Sequence, residues 1–165
     1  MNPALTADEA VTHQRSAMVI WAALLLGPLV LAVVVRGLVE NQNAIATEGA
    51  PLDPAVSLLV WAVVAASALA GTFIFRARAA GLAGTAETRD EMARGQGPSP
   101  AALITNLVVA WALAEGQLLL AMALYFMSGS LLLWWSALIL HVAALAGAFP
   151  QKGWFTGLVP GASGE

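Results

Sequence analysis

The longest apolar stretch of the sequence, Ala101–Phe126, reads AALITNLVVAWALAEGQLLLAMALYF. It holds one charged side chain, Glu115, close to its middle. A helix of this length is about 39 Å long, and the hydrocarbon core of a bilayer is about 30 Å thick. We therefore interpret the stretch as a membrane-spanning helix that carries a carboxylate at the depth of the lipid tails.

Three further runs, 17–35, 54–75 and 131–149, have the length and composition of membrane spans. Charged residues make up 10% of the 165-residue chain and hydrophobic residues 59%, whereas soluble domains contain about 25% charged residues. The sequence therefore predicts an all-α integral membrane bundle of four transmembrane helices. Only residues 127–130 separate the last two runs, so these form an antiparallel hairpin, and we expect the first two to form another.

The boundaries of these runs define the expected domain organisation. A polar N-terminal tail (1–16) precedes the transmembrane domain (17–149), which contains a polar loop (77–99) and is followed by an irregular tail rich in glycine and proline (150–165). Lysine and arginine accumulate in loops on the cytoplasmic side of a membrane. One side of the predicted bundle has six of the seven basic residues, and the other side has Arg36 alone. We therefore expect a multi-pass protein of the inner (cytoplasmic) membrane with both termini in the cytoplasm.

The acid of the third span has a possible partner on the fourth. Glu115 lies eleven residues before Phe126, and His141 lies ten residues after Leu131. Both are therefore about 15 Å from the end of the bundle at which the last two helices are joined. A charged carboxylate at mid-membrane costs at least about 2.5–3.5 kcal/mol, a cost that proton binding removes. We predict that Glu115 and His141 form a proton- or ion-binding site in which the carboxyl group is neutral or hydrogen-bonded to the imidazole.

Two amides lie on the opposite face of the same span. Asn106 and Gln117 are eleven residues apart, so at about 100° per residue they share one face, and Glu115 lies about 160–180° away from it. A helix with polar groups on two sides cannot present both of them to lipid at low cost. We therefore expect Asn106 and Gln117 to be polar helix-packing residues within a bundle or an oligomer.

Small residues at intervals of four allow helices to approach closely in lipid. The second span has Ala62, Ala66 and Ala70 at this spacing. We expect this stripe to be a packing face for a neighbouring helix, either of the same chain or of another copy.

The segment Ala112–Ala121, ALAEGQLLLA, resembles the carboxylate helix of the proton-binding ring subunit (subunit c, the proteolipid) of rotary ATP synthases and ATPases. In that family an acid in a helix rich in alanine, glycine and leucine takes up and releases the transported ion, so the resemblance implies this role for Glu115. The chain departs from the family because Glu115 lies on the first helix of its hairpin, not the second. The pattern around Glu115, with a short turn and a span ending at Phe149-Pro150, is also similar to small uncharacterised four-span membrane proteins of bacteria, a likeness that implies no activity.

The remaining composition narrows the function classes. The net charge of −3 and the lack of a basic stripe argue against a nucleic-acid partner. The sequence has no cysteine and no nucleophile–base set, and Glu115 with His141 gives too few ligands for a metal site. We therefore expect a protein that is not an enzyme and has no metal or cofactor, and whose partners are the lipid bilayer and either further copies of itself or other membrane subunits. Two hypotheses remain: a unit that handles protons or ions, and a non-catalytic accessory or assembly subunit of a larger membrane complex.

Overall fold

The computed structural model describes residues 6–43, 52–84, 99–156 and 158–159. These residues form four long helices, α1 (Ala7–Asn43), α2 (Pro54–Gly84), α3 (Pro100–Ser128) and α4 (Leu131–Gly147), and one short helix, α5 (Lys152–Thr156). No strand occurs in these ranges, which confirms the all-α prediction for the described part of the chain. The four long helical segments are long and apolar enough to cross a membrane.

Helix α1 includes ten residues of the N-terminal tail that the sequence predicts to precede the first span. It starts at a capping box, in which the Thr6 backbone N–H donates to the Glu9 carboxylate (2.8 Å) and the Glu9 N–H donates to Thr6 Oγ1 (3.3 Å). Its 37 residues give a length of about 55 Å. Polar caps, and not the end of the apolar run, therefore set where α1 begins.

Helix α2 likewise extends beyond the apolar run, into the predicted loop 77–99. It continues to Gly84 because four of the eight residues after Arg76 are alanine, and Arg78 and Leu82 also have high helix propensity. Residues 85–98, the rest of the predicted loop, lie outside the described residues.

The tail after Pro150 is not irregular throughout, as the sequence predicts it to be. Lys152–Thr156 form the short helix α5, which buries the side chains of Trp154 and Phe155 against the ends of α1 and α2. Two large aromatic side chains remove enough apolar surface from solvent to fix one helical turn. Residues 157 and 160–165 of the predicted tail lie outside the described residues.

The turn between α3 and α4 has two residues, Gly129 and Ser130. Gly129 adopts a left-handed conformation (φ 65°), and its N–H donates to the Tyr125 carbonyl, which closes the end of α3. The Ser130 side chain accepts a hydrogen bond from the Leu133 N–H and caps the start of α4. The turn therefore ends one helix and starts the next without an intervening loop.

Helix α3 is the central element of the bundle. It packs against α1, α2 and α4, and among the described residues the packing between α1 and α2 is at most marginal. One core cluster joins Ala17 of α1 to Leu107 of α3, and a second joins Ala32 to Met122. Helices α1 and α3 therefore run in the same direction, while α2 and α4 contribute to the two clusters in the reverse order.

The stripe of Ala62, Ala66 and Ala70 is exposed in the single chain, so no helix of the described residues covers it, and its role as a packing face for another copy stays a prediction. Helix α2 instead turns Trp61, Ala65 and neighbouring buried residues towards α3. In this orientation the Trp61 N–H reaches its acceptor on α3, the Gln117 side chain.

The end of α4 is buried, and two indole groups bond its final carbonyls. The last four carbonyls of a helix lack partners within the helix. Trp21 Nε1 of α1 donates to the Leu145 carbonyl, and Trp111 Nε1 of α3 donates to the Ala148 carbonyl, each at 2.9 Å. These bonds join three helices at one point and allow a helix end to lie within an apolar cluster.

Candidate functional site: a central polar layer

Gln117 links three helices near the middle of the bundle. Its side chain is 2% exposed. Trp61 Nε1 of α2 donates to Gln117 Oε1 at 3.0 Å, and Gln117 Nε2 donates to the Ala137 carbonyl of α4 at 3.5 Å. Both ends of the amide therefore have partners on neighbouring helices.

Thr72 makes a second polar contact between α2 and α3. Its hydroxyl lies 2.8 Å from the Ala68 carbonyl of its own helix and 3.1 Å from the Ala110 carbonyl of α3. The side chain is buried and has acceptors on both sides. This contact holds α2 and α3 together without leaving a polar group unpaired.

His141 of α4 is completely buried, with 0% exposure. Its Nδ1 lies 3.1 Å from the Ala114 carbonyl of α3. Because a carbonyl oxygen can only accept, Nδ1 carries the proton of the neutral ring, and Nε2 is left as an acceptor. Nε2 is buried and has no hydrogen-bond partner in the described structure.

Glu115 lies beside this histidine but is not bonded to it. His141 contacts the backbone carbonyl of Ala114, the residue before the acid. In the described parts of the chain, no hydrogen bond involves the Glu115 side chain, which is half-buried. The two side chains of the predicted site are thus brought to the same level, while the direct carboxyl–imidazole bond stays a prediction.

Glu115 lies on the boundary between the buried and the exposed faces of α3. One turn away on either side, Trp111 and Leu118 are buried, whereas Ala112 and Leu119 are exposed. Gly116 is also exposed, and a Cβ built on it would meet nothing within 4 Å in the described structure. The acid is therefore reachable both from the bundle interior and from the outer surface of α3.

A break in the hydrogen bonding of α1 lies close to the level of Glu115. Pro28 is buried within α1, and because proline lacks an N–H, the Leu24 carbonyl loses its usual donor four residues later. Trp21 and Trp111 bond carbonyls of α4 that are three residues apart, so they lie at similar levels. Leu24 lies three residues after Trp21, and Glu115 lies four residues after Trp111. Because α1 and α3 are parallel, Leu24 and Glu115 are at levels that differ by at most about one turn, or 5 Å.

Asn106 does not join two helices in the way that Gln117 does. Its Nδ2 donates to the Ala102 carbonyl of the same helix at 2.8 Å, and the side chain is half-buried. The two amides share a face of α3, as their spacing indicates, but only Gln117 lies deep enough to reach both α2 and α4.

The sequence reasoning missed the tryptophans of this layer. Trp61 and Trp111 lie deep within their helices, whereas interfacial tryptophans lie near helix ends. A buried indole N–H needs an acceptor, so the depth of these two residues is a signal that they bond polar groups inside the bundle.

The described residues contain no group of three histidine, aspartate or glutamate side chains that could hold a metal ion. Comparisons with models of protein families, with curated proteins and with solved structures found no match. The class that the fold defines is therefore a small all-helical protein with four helices able to cross a membrane.

Proposed function

We propose that this chain is a small polytopic membrane protein that takes up and releases a proton through Glu115, with His141 as the partner of the acid. The observation that supports the proposal is the free Nε2 of a fully buried imidazole, fixed by its other nitrogen to the residue before the carboxylate. An unpaired buried acceptor is costly, and intramembrane ionisable residues are functional more often than not.

The proton transfer needs only these two side chains. With Glu115 protonated and His141 neutral, the carboxyl O–H bond breaks, an Nε2–H bond forms, and a carboxylate and an imidazolium ion result. The Nδ1–H bond to the Ala114 carbonyl is kept throughout, because Nδ1 is a donor in both ring states. The transfer requires a rotation of the Glu115 side chain, or a bridging water, that brings the two groups into contact.

The missing N–H of Pro28 in α1 offers protonated Glu115 a second hydrogen-bond partner, the Leu24 carbonyl. The Leu24 carbonyl lacks the N–H donor that a residue other than proline would supply at position 28, and a protonated carboxyl group is a donor. A hydrogen bond between them would hold the neutral form of Glu115 away from His141, so the acid would have one partner in each orientation.

The surroundings of the site favour a lipid environment. Large apolar side chains cover the outer faces of α1 and α2, among them Val30, Val33, Leu59 and Val63, each more than 60% exposed. Lipid tails remove the cost of such surfaces. The arrangement that we propose is four spans of alternating direction in the inner membrane, in which α3 and α4 form a hairpin, with both termini and the 77–99 loop in the cytoplasm.

The test is proton binding by Glu115→Gln in reconstituted protein. We expect the variant to lose the infrared carboxyl band of the protonated acid, and the proton uptake that accompanies it, while the helices stay assembled. The matched control is Glu40→Gln, which removes a carboxylate that pairs with Arg36 at the far end of α1 (2.8 Å). A carboxylate spectrum for Glu115 across the whole range from mildly acidic to neutral pH would contradict the proposal.

An alternative function rests on the outer surface beside the acid. Ala112 and Gly116 are exposed and small, so a helix of another subunit or a second copy can approach closely there. In this alternative the chain is an accessory or assembly subunit, and Glu115 bonds a polar group of its partner. Glu115→Gln would then weaken complex formation and leave proton leak unchanged.

A further inference from the structure

Arg76 is a half-buried cation between α2 and α3 with an unsatisfied donor. Its Nε is buried and has no hydrogen-bond partner in the described structure. A guanidinium carries five N–H donors and no acceptor, so this nitrogen needs an oxygen. Thr72, one turn earlier on the same face of α2, directs its hydroxyl to Ala110 of α3.

The level of Arg76 follows from the pairing of α2 with α3. Trp61 bonds Gln117, and Thr72 bonds Ala110, so residue numbers rise along α2 as they fall along the antiparallel α3. By this register Arg76 lies at the level of Asn106. One Nδ2 hydrogen of Asn106 is used by the Ala102 carbonyl, and the other is available as a second donor beside the guanidinium.

This level belongs to one end of the bundle, which we call the basic end. Ala17, Ala79 and Trp154 share a core cluster there. The described side chains of this end include four basic and two acidic ones (Arg15, Arg76, Arg78 and Lys152; Asp8 and Glu9). The Glu9 carboxylate accepts hydrogen bonds from the backbone N–H and the hydroxyl of Thr6, and in the described ranges no salt bridge involves Arg76.

We propose that the phosphate group of an anionic phospholipid binds between α2 and α3 at the basic end, with Arg76 and Asn106 as its donors. An oxyanion satisfies Nε and offers further oxygens for the rest of the guanidinium. The outer face of α2 next to Arg76 exposes Phe73 and Ile74, which acyl chains cover. The neighbouring Arg78 lies over the Phe75 ring at 5.3 Å, along the surface of the helix, and adds to the field that favours an anionic lipid.

The experiment compares two arginines of the full chain by native mass spectrometry. The protein is released from micelles that contain phosphatidylglycerol and phosphatidylethanolamine, and the retained lipids are counted. We expect the natural protein to retain phosphatidylglycerol preferentially and Arg76→Gln to bind it about tenfold less, since a charge-assisted hydrogen bond is worth about 1.5–3 kcal/mol. The matched control is Arg36→Gln, because Arg36 Nε already bonds Glu40 at 2.8 Å. This variant should bind phosphatidylglycerol as tightly as the natural protein does.

The other outcomes are equally informative. Arg76→Lys keeps the charge and loses the Nε donor, so an intermediate affinity supports the role of that nitrogen even if the glutamine variant folds poorly. Equal retention of the two lipids by the natural protein would overturn the proposal, as would an equal loss in Arg76→Gln and Arg36→Gln. Displacement of the lipid by millimolar inorganic phosphate would show that the site takes a soluble anion, and would overturn the assignment to lipid. None of these outcomes depends on whether Glu115 binds a proton.

Discussion

Gln117 and His141 lie in the same central layer of the bundle and are almost equally buried, but their hydrogen bonding differs. Gln117 has a partner at each end of its amide, one on α2 and one on α4. His141 has a partner at one ring nitrogen only, and the nearby Glu115 has none in the described structure. A saturated polar group holds helices together, whereas an unsaturated one keeps the capacity to exchange a proton. Within one layer of the bundle, Gln117 is therefore a residue that stabilises helix packing, whereas His141 and Glu115 are candidates for proton exchange.

The largest effect on stability is expected for Gln117→Leu. The change leaves the buried Trp61 N–H without an acceptor, which costs about 1–3 kcal/mol. Reversible unfolding in mixed detergent micelles measures this difference. A variant as stable as the natural protein would mean that Gln117 does not hold the helices together.

Trp61→Phe removes the other partner of the same hydrogen bond, and we expect it to lower the free energy of unfolding by about 1 kcal/mol, less than Gln117→Leu does. Phenylalanine keeps much of the ring packing and removes the N–H that bonds Gln117. The double variant with Gln117→Leu isolates the bond itself, for which measured couplings between membrane helices average about 0.6 kcal/mol and reach about 1.7. Strictly additive effects of the two changes would show that the hydrogen bond contributes nothing.

His141→Leu is expected to lower the free energy of unfolding by less than about 1 kcal/mol, although the side chain is as deeply buried as that of Gln117. The change loses one bond, to a carbonyl that also belongs to the α3 ladder, and it removes an unpaired buried nitrogen, so the two terms oppose each other. The same unfolding assay gives the difference. A loss larger than that of Gln117→Leu would reverse the comparison and make His141 the main structural link.

The smallest effect on stability, within about 0.5 kcal/mol, is expected for Glu115→Gln, since the carboxyl group has no described partner to lose and substitutions at such sites change stability little. Unfolding of the variant beside Glu40→Gln measures it. A loss above 1 kcal/mol would reveal a structural bond of the acid and would favour the assembly hypothesis over proton exchange.

The positions of the spans and the starts of α2, α3 and α4 were predictable, but the start of α1 and the end of α2 were not. Low charge and long apolar runs require helices in lipid whatever the details of packing. The start of α1 depends on the local bonds between Thr6 and Glu9, and the short helix α5 depends on a tertiary contact of Trp154 and Phe155. The pattern of hydrophobic residues along the sequence predicts neither the start of α1 nor the helix α5.

The level of Glu115 and His141 along their helices was predictable, but the directions in which their side chains point were not. Residue counting placed Glu115 and His141 at one level, because the rise of a helix is fixed. The rotation of each helix about its own axis depends on the packing of all its neighbours. That rotation brings the imidazole to Ala114 and not to the carboxyl group, and it turns Trp61 inward in place of the Ala62–Ala66–Ala70 stripe.

The two indole bonds at the end of α4 have a consequence for biogenesis. A ribosome makes α1 and α3 before α4, so Trp21 and Trp111 are already in place when the final turn of α4 emerges. The carbonyls of Leu145 and Ala148 then meet donors on a preassembled template. The docking of α4 onto Trp21 and Trp111 is therefore the last step that we expect in the assembly of the bundle.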